Sequence, residues 1–318
     1  MTIVPSVPVA DPCPQGPTRQ GCLNEHHVEN PPTVFRNSWP SFARQSKGFA
    51  STLRMRLLPS QERNYVPVLA EGSPDWGHGK SGIIAKWIGH ASWLVEVGSG
   101  VTGEQRGIAI LLDPVFSDRM RGNGRVRLLR ALGVKSSLLG MGVGDEHVTE
   151  LDWWQGVEVN VGEARTRLVC TPSQHFSERS ICDAGCGLWC SWAVEELPNH
   201  QEKAPGKDMF FARSDTGYRS VPQDTVNVAD LPRCPAFKDI GELYGPFNLA
   251  LLPISCFLPR TMIKRSVGMH HGTVRGMVSG AFEDVRDPPQ LWKEAAEKAV
   301  LTWGGEISIC GVGETVVV

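Results

Sequence analysis

The groups in this 318-residue sequence best suited to acid–base or metal chemistry are nine histidines, nine cysteines and 34 carboxylates. Three histidines stand where an apolar run ends: His90 after KWIG, His175 after RLVCTPSQ and His270 after SVGM. Asp113 closes AILLD, and Asp215 follows MFFARS. Polar residues just past strand ends are where sheet folds place their working loops, because the strand fixes the backbone while the loop stays open to substrate. One histidine in such a place is ordinarily a satisfied core or surface residue. Several imidazoles and carboxylates recurring at strand ends point instead to a metal site with His and Asp ligands.

Other chemistries lack their residues. There is no G-x-S-x-G elbow for a serine hydrolase, and GHGKSG (77–82) copies only the end of a phosphate-binding loop. Cys182, Cys186 and Cys190 form C-x3-C-x3-C, which matches no zinc-finger or ribbon spacing, so they are read as reduced thiols. With 32 basic against 34 acidic residues the net charge is −2, which argues against a dedicated nucleic-acid binder. The longest apolar stretch, 247–258, is too short to span a bilayer and contains a proline. MTIVPSVPVADPCPQG has neither the basic start nor the apolar run of a secretion signal, so a cytoplasmic location is expected.

The elements that must position these residues follow from local pattern. Residues 1–50, rich in Pro, Asn, Gln and Ser, read as a flexible arm whose aromatics Phe35, Trp39, Phe42 and Phe49 clip it to the body; 51–318 is the domain. Short apolar runs bounded by turn signals predict strands at 83–89, 92–97, 107–116, 157–161, 165–172, 188–196, 208–212, 248–254 and 266–270. Proline starts and glycine stops predict helices over 235–245 and 288–305, and the tail from Glu306 reads as a hairpin. The Arg-rich run 119–131 and GMGVGD (140–145) read as irregular, and the whole as an α/β arrangement of sheets covered by helices.

Taken in order, WIGHASWLVEV (87–97), ILLDPVFSDR (110–119), ELDWW (150–154), TPSQHFSER (171–179), SDTGY (214–218), CPAFKDIGELYGPFNLALLPI (234–254) and MHHGT (269–273) resemble one family. FRNSWP (35–40) belongs to the same pattern. The family is the N-acyl-phosphatidylethanolamine-hydrolysing phospholipase D group of the metallo-β-lactamase superfamily. The resemblance implies an αββα sandwich with two zinc ions at one edge and release of an N-acylethanolamine and phosphatidic acid. It implies His175 as a ligand of one zinc, Asp215 as the bridge and catalytic centre, and His270, rather than His271, as a ligand of the other. It also implies Asp113 and His90 as structural residues near the site, and a membrane phospholipid as substrate, reached by peripheral contact through Trp39, Phe42 or Phe257–Leu258.

The pattern breaks at one decisive place. The superfamily motif His-x-His-x-Asp-His is missing, and no two histidines of this chain lie two positions apart. A second gap falls near Ile263–Lys264, where the family carries a His-Val-Asp-Pro segment. A catalytic zinc usually takes three protein ligands, and here each would keep two, with Asp215 counted twice. None or one zinc is therefore expected, the single ion resting on His175, Asp215 and His270 with His90 or His147 as a distant helper. The expectation is a zinc-dependent phosphodiesterase by lineage with an incomplete sandwich and impaired activity; the alternative is a non-catalytic relative serving as a lipid- or protein-binding scaffold.

Overall fold

The apolar runs do form strands. The computed structural model describes residues 9–10, 25–42, 77, 80–89, 91–99, 107–113, 128–140, 142–162, 164–177, 184–198, 209–213, 216, 230–253, 267–269, 290–294 and 313–317. They fall into two units, Met1–Trp39 with Phe116–Met209 and Pro235–Pro246, and Pro40–Val115 with Phe210–Cys234 and Phe247–Val318.

With elements numbered along the chain, the first unit holds β1 (Val9–Ala10), β5 (Leu128–Ala131), α1 (Lys135–Gly140), β6 (Val148–Leu151), β7 (Gly156–Val161), β8 (Ala164–Pro172), β9 (Cys190–Leu197) and α2 (Ala236–Tyr244). β1, β7, β8 and β9 pair antiparallel in that order. β8 is flanked on both edges, and from Leu168 to Pro172 every residue is buried, so it runs as a near-continuous apolar segment rather than an alternating one. At its outer end the three strands carry a charged row. Glu158 faces Arg167, which faces Glu195, with Nη2–Oε1 at 2.8 Å and Nη1–Oε2 at 3.5 Å. The Arg167 hydrogen bond holds the Glu158 carboxyl below its usual range against an opposing push from burial.

Of the run 119–131 read as irregular, the described residues 128–131 are strand β5, which pairs with β6 around α1, while of GMGVGD the described residues 142–144 beyond α1 are the loop expected. The signal was hidden because α1 has only six residues and is stabilised from a distance: both Val134 N–H and Lys135 N–H donate to Glu150 Oε1 at 2.7 Å. A carboxylate there satisfies orphan amides and faces the positive end of the helix. α2 begins after Pro235, buries Ala236 and Ile240 one turn apart, and lies against β8. It ends at Gly245, whose N–H donates to the Gly241 carbonyl.

The second unit holds β2 (Gly82–Gly89), β3 (Ser92–Ser99), β4 (Ile108–Leu112) and β13 (Thr315–Val317), antiparallel in the order β13-β2-β3-β4, together with parallel β10 (Met209–Arg213), β11 (Leu249–Pro253) and β12 (Val267–Met269). Along β3, Trp93, Val95 and Val97 are fully buried while Leu94 and Glu96 are half-buried, the period of two that a pleated strand imposes. Trp93 is paired with Trp87 of β2, their rings 6.4 Å apart. β13 pairs with β2; the rest of the expected tail hairpin lies outside the described residues, as does the predicted helix beyond its turn at 290–294.

Two consequences are measurable. Gly133 has φ +85°, and a Cβ there would sit 2.1 Å from the Cys186 carbonyl oxygen and 3.2 Å from the Phe35 ring. Gly133→Ala therefore combines left-handed strain with overpacking and is expected to destabilise by roughly 2–4 kcal/mol in urea unfolding. Glu158, with its lowered folded value, contributes stability that is full above the ordinary carboxylate range and is lost as pH falls through the folded value. Arg167→Met should cost about 0.5–1 kcal/mol at neutral pH and flatten that acid-side slope; an unchanged slope would show that the row is inert.

Candidate functional site

Buried β8 delivers its C-terminal end to a loop that begins with two more buried residues, Ser173 and Gln174. Ser173 Oγ and Ser191 Oγ lie 2.5 Å apart, fixing the loop to β9. His175 follows, half-buried, its ring 5.0 Å from that of Phe176, which is 40% exposed. The backbone here is held from outside the sheet. Asn37 Nδ2 donates to the His175 carbonyl at 2.7 Å. Gly185 N–H donates to the Ser177 carbonyl at 2.8 Å, and Gly187 N–H to Ser177 Oγ at 3.1 Å. Phe35 N–H donates in turn to the Gly185 carbonyl at 2.9 Å. Gly185 has φ +77°, and a Cβ would meet the Phe35 carbonyl oxygen at 2.9 Å, so this approach requires glycine.

Asn37 and Phe35 belong to the N-terminal segment, where Val28 N–H donates to the Val34 carbonyl and Arg36 N–H to the His26 carbonyl. That narrow hairpin is pinned at its other side by Asp152, the aspartate of ELDWW. His26 Nε2 lies 2.7 Å from Asp152 Oδ1 and His27 Nε2 lies 2.7 Å from Oδ2, so one carboxylate bridges two adjacent imidazoles. Trp153 N–H also donates to Oδ1 at 2.7 Å. His26 is fully buried and stacks on Trp153 at 4.1 Å between centroids, while Trp39 stacks at 5.3 Å from the same indole. Burial pushes the Asp152 carboxyl up, but the hydrogen bond and charge of His26, the Trp153 N–H and the charge of His27 together hold it below its ordinary value. Among the described residues these three side chains are the group whose ligand atoms all lie within 4.8 Å, the spacing of a metal site.

The turn carrying Asp152 is strained. Trp154 has φ +69°, unusual for a bulky residue, and is held there by its N–H donating to the Cys170 carbonyl at 2.7 Å. The adjacent Cys170 thiol is pushed well up by burial, with Cys190 adding to the effect, and is chemically quiet. Cys170, Cys186, Cys190 and Cys234 are free thiols.

Of the residues singled out from the sequence, His175 lies in the first unit as described. Asp113 lies in the second, exposed, with φ +38° and its carbonyl accepting from Ser92 Oγ at 2.6 Å. His90, Asp215 and His270 lie outside the described residues. His147 sits in a 3-10 turn with Nε2 3.2 Å from Glu146 Oε1. Sequence reading missed the Asp152 group. Its one local signal was the adjacent pair His26–His27 just upstream of FRNSWP; the carboxylate lies 125 residues further on. The donor set for the family's two zinc ions does not fit, because the His-x-His-x-Asp-His ligands are absent from the chain.

Comparison with known proteins points to the same family. The model of the β-lactamase superfamily domain matches residues 124–292. N-acyl-phosphatidylethanolamine-hydrolyzing phospholipase D 1 of Caenorhabditis elegans is 24% identical over 311 residues, covering 76% of this chain and 78% of that protein. The mitochondrial N-acyl-phosphatidylethanolamine-hydrolyzing phospholipase D of Saccharomyces cerevisiae is 33% identical over 128 residues, 40% of this chain and 22% of the relative. An uncharacterized protein of Mycobacterium tuberculosis is 27% identical over 222 residues, and the alignment spans 50% of its length. With its mixed α/β architecture and a domain match over more than half its length, the chain belongs to the β-lactamase superfamily, in the branch that resembles the N-acyl-phosphatidylethanolamine-hydrolysing phospholipases D.

Proposed function

We propose that the chain is a phospholipase-D-type phosphodiesterase by lineage, directed at N-acyl phosphatidylethanolamine, whose hydrolytic centre is incomplete. The observation that carries the lipid reading is the TPSQHF end of β8. It presents His175 with an exposed phenyl ring beside it, an imidazole and an apolar contact on one loop. The names of the nematode and yeast relatives support the same substrate class. We take contact with the lipid to be peripheral; no helix among the described residues is long and apolar enough to cross a membrane. Trp39 is engaged in its stack on Trp153, so Phe176 is the better apolar contact, and Phe257–Leu258 lies outside the described residues.

The reading that activity is impaired rests on ligand count. Two cations together generate hydroxide at neutral pH and stabilise the transition state by several kcal/mol, and each 1.36 kcal/mol is tenfold in rate. Loss of one complete ion site therefore predicts turnover at least about 10^3-fold below that of a complete phospholipase of the family. The scaffold alternative is favoured by the same missing motif. It is separated from weak catalysis by assaying N-acyl phosphatidylethanolamine hydrolysis alongside binding to vesicles containing that lipid. Slow turnover that disappears in His175→Ala supports the proposal. Binding without turnover supports the scaffold, and turnover at the rate of a complete relative overturns the claim of impairment.

The support given to His175 is testable apart from activity. Asn37→Ala removes one hydrogen bond to its carbonyl and should cost about 1 kcal/mol of stability. Amide exchange across 173–177 should quicken in that variant. Unchanged exchange would mean that the N-terminal segment does not hold the loop.

A further inference from the structure

We propose that His26, His27 and Asp152 bind one divalent transition ion of the zinc class, which fastens the N-terminal hairpin to the turn after β6. This site shares no residue with the family's hydrolytic ligands and does not depend on the proposed activity.

The donor chemistry selects the ion. Two imidazole nitrogens and a carboxylate suit zinc, nickel or copper, whereas magnesium and calcium require mainly oxygen ligands. Both Nε2 atoms lie on the Asp152 carboxylate, so the three residues supply two nitrogens and one oxygen, and water would complete a tetrahedral shell. The two 2.7 Å contacts are hydrogen bonds from the imidazoles to the carboxylate. Around a tetrahedral zinc with bonds near 2.0–2.1 Å, neighbouring ligand atoms lie about 3.3 Å apart. The imidazoles and carboxylate thus need to separate by roughly 0.6 Å, a small rotation of each side chain.

The tautomers allow the exchange. In the hydrogen-bonded form Nε2 carries the proton; in the metal form it must be bare and the proton moves to Nδ1. What fixes a tautomer is usually the partner of the other nitrogen. His26 Nδ1 is buried and has no hydrogen-bond partner, so nothing locks its ring in the hydrogen-bonded form. The carboxylate is better prepared. Trp153 N–H holds Oδ1, and the Asp152 N–H donates to Gln155 Oε1 at 2.9 Å, so the turn is set before the ion arrives. Because His26 lacks the outer partner that metal-bound histidines usually have, affinity should fall about 10–100-fold short of a fully buttressed site.

The test uses the full chain stripped with chelator and titrated with zinc, following bound metal by elemental analysis and stability by thermal unfolding. One ion should bind with a rise in Tm that grows with zinc concentration, and the segment 25–42 should become more resistant to protease. His27→Ala, at the half-buried ligand, and Asp152→Asn, which keeps the shape of the carboxylate, should each lower zinc affinity at least about 100-fold. His175→Ala should retain the ion, which separates this site from any metal at the hydrolytic centre. If either cluster variant fails to fold, the other, with the stability shift of the wild type, still decides. Absence of a zinc-dependent Tm shift at millimolar zinc, or an ion that leaves with His175→Ala and stays in both cluster variants, would overturn the proposal and leave a pure hydrogen-bonded clip.

Discussion

A carboxylate taken out of water must find partners or lose its charge, and in the first unit Asp152 meets that constraint with two imidazoles and a backbone amide. Much of the local structure follows. His26 and His27 are neighbours in sequence, so placing both Nε2 atoms on one carboxylate fixes the start of the hairpin to within a rotamer. His26 is then fully buried against Trp153, with its Nε2 bonded to the carboxylate. The indole beneath it is itself fixed, its Nε1–H donating to the Trp189 carbonyl at 2.7 Å.

From that anchor a short chain of contacts reaches His175. The hairpin sets Phe35 against Gly185 and Gly133, positions where a side chain has no room, and two residues further on Asn37 takes hold of the His175 carbonyl. Each step is local and directional. The left-handed backbone at Trp154 lies in the same turn as Asp152, and the Cys170 carbonyl satisfies the Trp154 amide. A residue at the end of a strand is mobile unless something outside the sheet restrains it. Here that restraint comes from the N-terminal segment.

What was legible in the sequence divides along the range of the interactions. Strand period in SWLVEV, the apolar run RLVCTP, and the Pro–Gly brackets of 235–245 are encoded within a few residues, and those elements stand where pattern placed them. α1 was not legible, since its N-terminal amides are satisfied by Glu150, 15 and 16 residues away. The Asp152 group was further out of reach, its partners being 125 and 126 positions apart. ELDWW and FRNSWP were visible as family pattern, but pattern does not say that one packs on the other. Asp113 was picked as a residue that orders loops. Its left-handed backbone and its carbonyl bond to Ser92 show a strained strand end, a feature no residue type announces.

The missing His-x-His-x-Asp-His motif raises the question of why the surroundings of His175 stay well made. The answer lies in connectivity. β8 is held by β7 and β9 on its two edges, α2 lies against it, and its terminal loop is restrained by residues 35–37 and 185–187. None of these partners comes from the stretch between β4 and β5 where the motif belongs. The contacts named here, which shape the His175 loop, do not depend on that stretch. The support of the His175 loop described here is thus local, built from neighbouring strands, α2 and the N-terminal segment.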